Sequence, residues 1–295
     1  MSSSNQSDPR IIDVAVCLNE EFIVGFVVTI RSLLQNLKNG FKPNLFLIHR
    51  QLPVQTIEEI SNFLFENGIQ YNWIEINTDE LHGLITVGHL DLETYFRLLL
   101  PKLIPPCISK VLYLDCDLLV TDDVSELWEL PIKGKKIAIS EHWNAGVMIM
   151  NLDEWRGTNF GSELISFVRT HPEKCPLADN SAIIENTSKE EATVFDARWN
   201  LASTGQSPHK GIVHFVGHPK PWHYNYGSKT IQSLFLQQLS CTNWSKWTPA
   251  RPRLSKRIAA QINSAKPVEI FSRYLGKKTW GVRLKSVIKR LASSK

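Results

Sequence analysis

Apolar positions near the start of the chain switch between two periods. Residues 11–18, apolar except for Asp13, are of the kind that makes a short buried strand. Phe26, Ile30, Leu33, Leu34 and Leu37 then recur at helical spacing, and Gly40 with Pro43 marks the stop. Residues 44–49 read as a second strand, Ile57, Ile60 and Leu64 as a second helix ending at Gly68, and residues 71–76 as a third strand. Strand and helix in strict alternation predict an α/β fold with a doubly wound, mostly parallel sheet flanked by helices.

In such sheets ligands gather at the carboxyl ends of the strands. The apolar run 111–114 ends in Asp115-Cys116-Asp117 before apolar residues resume. In extended backbone, residues two apart share a face, so Asp115 and Asp117 aim together while Cys116 points the other way. Two such carboxylates repel unless a cation sits between them, and their oxygens suit Mg²⁺ or Mn²⁺. The plain alternative is a turn or a solvated strand end.

The flanking pattern supplies further candidates. Residues 91–101 predict a helix that Asp91 caps and Pro101 breaks, carrying Arg97 either toward the acids or to the surface beside Glu93. An amphipathic piece at 123–128 and a strand at 137–140 follow. Next comes an apolar strand at 143–152, entered through Asn144-Ala145-Gly146, whose small residues admit a ligand close to the backbone. A helix at 162–170 precedes Asp179-Asn180-Ser181, polar groups that open another helical turn. Later, His214 lies in a strand and Lys220 follows a loop containing Gly217 and Pro219. A lone strand histidine is either a satisfied core group or a metal ligand.

Charge divides the chain. From Arg251 onward there are 13 Lys and Arg against one acid, whereas residues 1–250 hold 20 basic and 28 acidic residues. We therefore expect one domain at 11–250 and a basic tail at 251–295 with different partners. Leu284, Val287, Ile288 and Leu291 recur at helical spacing in that tail, with Arg283, Lys285, Lys289 and Arg290 largely elsewhere on the wheel. A cationic amphipathic helix of this sort lies on an anionic membrane surface or packs on the acidic domain. No nucleic-acid recognition module is present. Five scattered cysteines without a C-x-x-C pair argue against a disulfide framework and against zinc. With no long apolar stretch and a polar start, the expected setting is cytoplasmic, peripheral on the inner face of a membrane.

Tyr95-Phe96-Arg97 with Pro101, the run 111–117, Trp143-Asn144-Ala145-Gly146, and His214-Phe215-x-Gly217 followed by Lys220-Pro221-Trp222 together resemble glycosyltransferase family 8. This is a family of retaining nucleotide-sugar transferases that includes glycogenin and bacterial lipopolysaccharide galactosyl- and glucosyltransferases. The resemblance runs over about residues 11–225. It implies a GT-A fold and a Mn²⁺-dependent transfer of glucose or galactose from a UDP-sugar to a glycan or lipid-linked glycan acceptor. It also implies metal ligands Asp115, Asp117 and His214, with Mg²⁺ as the second choice of ion. Lys220 would meet the diphosphate, and Arg97, Asn144 and Asp179 the donor sugar. Cys116, Ala145 and Gly217 would lie along the donor, and Asp179 with Asn180 would form the catalytic pair.

The chain departs from the family pattern in two places. Asn180 keeps the family's amide but is one methylene shorter. Around the nucleoside, Asn19, Glu21 and Phe22 stand where the family has Asp, Asn and Tyr, and Phe22 retains a ring to stack on uracil. Two other functions fit parts of the pattern. An apolar strand before Asp-x-Asp also opens haloacid-dehalogenase-type phosphatases, although those place the motif near the N-terminus. A sugar-nucleotide or glycan binder without turnover is the other.

Overall fold

The computed structural model describes residues 8–84, 86, 91–203 and 210–248. The basic tail 251–295 and its expected helix lie outside these residues. In chain order the strands are β1 (Arg10–Leu18), β2 (Phe41–His49), β3 (Gln70–Glu75), β4 (Lys110–Leu114), β5 (Leu118–Val120), β6 (Ile137–Ser140), β7 (Val147–Asn151), β8 (Ala192–Phe195), β9 (Leu201–Ala202) and β10 (Ile212–His214). The α-helices are α1 (Ile23–Asn36), α2 (Val54–Glu66), α3 (Leu100–Leu103), α4 (Ser125–Trp128), α5 (Leu152–Gly157), α6 (Phe160–Thr170), α7 (Ala178–Glu185) and α8 (Lys229–Ser240).

Seven strands make the main sheet in the order β3-β2-β1-β4-β7-β6-β8, and β5, β10 and β9 make a small second one. Pairing is parallel from β3 through β4 and again between β6 and β8; β7 alone runs against its neighbours. The expected mostly parallel mixed sheet is therefore present. Its order reverses at β1, which has β2 on one side and β4 on the other, and that reversal leaves a crevice at the carboxyl ends.

The core divides into two clusters, one on each side of the sheet. One face takes Val14, Val16, Leu112 and Leu114 against Phe26, Ile30 and Leu33 of α1. The other takes Ala15, Val111, Tyr113, Met148 and Met150 against Phe96, Trp155 and Phe160. Burying each large apolar side chain contributes about 1.5–3 kcal/mol before the entropy of ordering it is subtracted.

Two expected boundaries move. Pro43 lies within β2, opposite Ile12 of β1, rather than in the loop after the first helix. Pairing with β3 begins only at Asn44, so the N–H that Pro43 lacks leaves no gap on that side. The segment Leu92–Leu99 is 3-10 helix rather than α-helix, and Pro101 opens α3 instead of breaking a helix. Tyr95 through Leu99 are all buried.

Among the described residues, no helix is long and apolar enough to cross a membrane.

Candidate metal and donor site

Asp115 leaves the end of β4, and its backbone N–H donates to the Gly146 carbonyl at 2.8 Å. Asp117 is held from the other direction. β5 pairs antiparallel with β10 so that Leu118 faces His214, and the Phe215 N–H donates to the Asp117 carbonyl at 2.9 Å. This register carries His214 across about 100 residues of sequence to the acid pair. Ligand atoms of Asp115, Asp117 and His214 all lie within 4.8 Å of one another.

Each carboxylate is oriented by a partner on one oxygen and presents the other to the centre. Oδ1 of Asp115 accepts the Tyr113 hydroxyl at 2.8 Å and meets the Arg97 guanidinium at 3.1 Å, while Oδ2 lies 3.7 Å from Nε2 of His214. Oδ2 of Asp117 is taken by the Lys220 ammonium, while Oδ1 lies 3.4 Å from the same Nε2. Burial opposes charge on Asp117, but Lys220 and His214 outweigh it and hold its carboxyl well below the usual carboxylate range. Two hard oxygens and one imidazole fit a divalent ion such as Mn²⁺, and the space is kept open by a glycine. A Cβ on Gly146 would fall 2.6 Å from Nδ1 of His214 and 2.8 Å from Oδ2 of Asp115.

Arg97 is not a surface partner of Glu93, which instead pairs with Arg50. It is 6% exposed and bridges Asp115 and Asp179, the latter at 2.8 Å, while donating to the Ala145 carbonyl at 2.7 Å. Burial works against its charge, yet the two carboxylates overcome that and fix the guanidinium as a cation. Asp179, in the first turn of α7, also accepts the Thr94 hydroxyl. Burial is the dominant influence there and raises its pKa despite Arg97. Next to it, Asn180 accepts the Ala145 N–H at 2.7 Å through its side-chain oxygen. Asn144 turns its own side-chain oxygen back to the Gly146 N–H at 2.9 Å.

Phe22 packs edge-on against Trp222 at 5.5 Å, and the Lys220 ammonium lies 5.5 Å from its ring, so Phe22 stands at the rim. Asn19 caps the turn Glu20–Phe22 by accepting the Phe22 N–H at 3.2 Å. Gly217 takes a left-handed conformation with φ of 77° in the loop between His214 and Lys220. The Cys116 thiol is buried and donates to the Cys17 carbonyl at 3.1 Å. Sequence reasoning passed over three residues that build the site. Tyr113 was findable, since it precedes Asp115 by two in a strand and shares its face. Thr29 and Asn200 gave no local signal.

Thr29 sits on α1, below the acid pair. Its one hydroxyl hydrogen is shared between the carbonyls of Cys116 and Leu118, at 3.2 and 3.0 Å, and its oxygen accepts the Leu118 N–H at 3.1 Å. Ser32, one turn on, accepts the Val120 N–H at 3.0 Å. The helix thus supplies polar partners to an edge of β5. Gly25 lets the helix come that near, because a Cβ there would meet the Cys116 carbonyl and lie 2.7 Å from the Trp222 ring.

Comparison with known proteins shows the family and the fold. The family model described as glycosyl transferase family 8 matches residues 13–142 and 135–226. The general stress protein A of Bacillus subtilis is 22% identical over 281 residues, covering 80% of this chain and 96% of that protein. The lipopolysaccharide 1,3-galactosyltransferase of Salmonella typhimurium is 23% identical over 296 residues, covering 86% of each. Among solved structures, the galactosyltransferase LgtC in complex with donor and acceptor sugar analogs superposes with a TM-score of 0.70 at 18% identity, over 84% of this chain and 100% of that one. These neighbours share the GT-A fold, and the phosphatase alternative finds no support among them. The chain, matched by the family model over most of its length, is a member of glycosyltransferase family 8.

Proposed function

We propose that the protein transfers glucose or galactose from a UDP-sugar to a glycan or lipid-linked glycan with retention of configuration, using Mn²⁺ held by Asp115, Asp117 and His214. One observation supports this above the rest: two side chains of the connection between β4 and β5 and one of β10 each use one atom for a positioning partner and direct another into a common space. The metal would act as a Lewis acid, offsetting negative charge on the donor diphosphate.

The remaining chemistry belongs to the chain. Breaking the glycosyl bond leaves charge on UDP, and Lys220, fixed beside the metal ligands, is a second cation for that charge. Arg97 and Asp179 form a rigid buried pair that orients donor hydroxyls, and Asn144 and Ala145 bring backbone close to the sugar. Retention requires the acceptor hydroxyl to arrive on the face from which UDP departs. Asp179 and Asn180, at the opening of α7, are assigned to that side of the reaction. Phe22 is assigned to the uracil. The relatives include a lipopolysaccharide 1,3-galactosyltransferase, and a lipid-linked acceptor would suit a basic tail at 251–295 resting on an anionic membrane.

The test is release of UDP from UDP-glucose or UDP-galactose in the presence of Mn²⁺ and a mixed pool of glycan and glycolipid acceptors. Turnover that disappears in chelator and in Asp117→Asn is expected. Binding of the sugar nucleotide with no turnover in any pool would replace the transferase by a binding protein, and full activity in chelator would remove the metal.

A further inference from the structure

Asn200 ends the turn Ala197–Asn200 and is 3% exposed, beside β10 but in no catalytic motif. Its side-chain amide touches two parts of the site at once. Nδ2 donates to the Asn144 carbonyl at 2.8 Å and to Oδ1 of Asn144 at 3.0 Å. Oδ1 lies 2.9 Å from Nδ1 of His214. A backbone carbonyl only accepts, so the nitrogen of the Asn200 amide is fixed on the Asn144 side and its oxygen on the histidine side. That oxygen has no hydrogen to give. The proton in this contact must then be on Nδ1 of His214, which leaves Nε2, the nitrogen on the side of Asp115 and Asp117, as the one available to a metal.

We infer that Asn200 is a positioning residue that sets the tautomer of His214 for metal binding and ties the ring to the Asn144-Ala145-Gly146 loop. This rests on the metal reading above and goes beyond it, because Asn200 touches neither the metal nor the donor. Fixing a ligand imidazole through its second nitrogen is general metalloprotein chemistry, and loss of such a partner costs about 10–100-fold in metal affinity. Here an amide supplies the acceptor, and its other end is committed to the loop that Arg97 and Asn180 hold through Ala145. Strand pairing reinforces the placement, since His214 is aligned with Ala202, two residues after Asn200.

The experiment is Mn²⁺ titration of the full chain, with free Mn²⁺ read by its electron paramagnetic resonance signal, and thermal melting of each metal-free variant beside it. Asn200→Leu, which keeps the volume and removes the acceptor, should weaken Mn²⁺ binding about 10–100-fold. Asn200→Ala should do the same if the leucine variant fails to fold. Asn200→Asp retains an oxygen for the Nδ1 proton and should restore affinity to within about threefold of the parent, although it loses the donor to Asn144. Equal weakening in the leucine and aspartate variants would reduce the role to packing and overturn the proposal. So would leucine and alanine variants that bind Mn²⁺ like the parent while Asp117→Asn does not. If Asp117→Asn itself binds Mn²⁺ unchanged, the metal reading fails and the Asn200 role fails with it.

Discussion

Gly146 lies against His214 with no room for a methyl group between them. A Cβ added there would fall 2.6 Å from Nδ1 and run into Cε1, with Oδ2 of Asp115 at 2.8 Å. The obstacles are two side chains of the candidate metal site that are themselves fixed, Asp115 by Tyr113 and Arg97 and His214 by Asn200. Gly146→Ala should therefore push the ligands apart, cost about 1–3 kcal/mol from overpacking and remove measurable Mn²⁺ binding. Gly157→Ala, where nothing lies within 4 Å, is the control and should change stability by less than about 0.5 kcal/mol. Isothermal titration with Mn²⁺ checks both; an alanine at 146 that binds the ion normally would show that the three ligands do not act together.

Arg97 compensates two carboxylates inside the protein. Arg97→Met leaves Asp115 and Asp179 facing each other with no cation between them, and breaking a buried pair in this way costs about 3–5 kcal/mol. The loss should shrink as pH falls. Asp179 already holds its proton more tightly than a free carboxyl because it is buried, and without Arg97 that tendency grows, so acid neutralises the stranded charge. Urea unfolding of parent and variant at neutral and mildly acidic pH measures this. A deficit that stays constant across that range would mean Arg97 acts through packing rather than charge.

The hydroxyl of Thr29 gives a third expectation. Thr29→Val is close in shape but leaves the Leu118 N–H and two carbonyls without their partner, a loss of about 1–3 kcal/mol. Since Leu118 directly follows Asp117, Mn²⁺ affinity should also drop. Hydrogen exchange at Leu118 and Val120 would report the loosening, and unchanged protection there would refute it.

How much of this was legible depended on how far each signal had to reach along the chain. The acid pair and the strand before it are local patterns, readable from residues 110–117 alone. Arg97 was readable as a cation near the acids, but not as a bridge to Asp179, because that pairing requires α7 to return over the segment Leu92–Leu99. The antiparallel course of β7 was hidden for the same reason: residues 143–152 read as a strand whichever way they run. Asn200 is the extreme case. An asparagine ending a short turn looks like loop chemistry, and only the pairing of β9 with β10 brings it to His214. Pro43 misled in the opposite sense, since proline signals a break and here occupies a strand position paired on one side.

The cysteines give the last expectation, and its sign can be worked out. Burial, first among the causes, raises the thiol of half-buried Cys17 to about 12 and that of Cys175 to about 11, and drives Cys116 well above the ordinary value of 9.0. Unfolding returns all three to that ordinary value. Below it both states hold the protons and the thiols contribute no pH dependence. Between about pH 9 and 12 the unfolded chain releases protons that the folded chain keeps, so stability falls as pH rises, by up to about 1.4 kcal/mol per pH unit for each thiol. Urea midpoints between pH 8 and 10.5 should therefore drop, and Cys116→Ala should flatten the slope by one thiol's share even as it costs core packing at every pH. The same burial separates reactivity. At pH 8 a thiol reagent should take exposed Cys107 and Cys241 first, half-buried Cys17 more slowly, and Cys116 and Cys175 only as the protein opens. Reaction of Cys116 and Cys175 as fast as Cys107 would show that the packing around these two thiols is not closed.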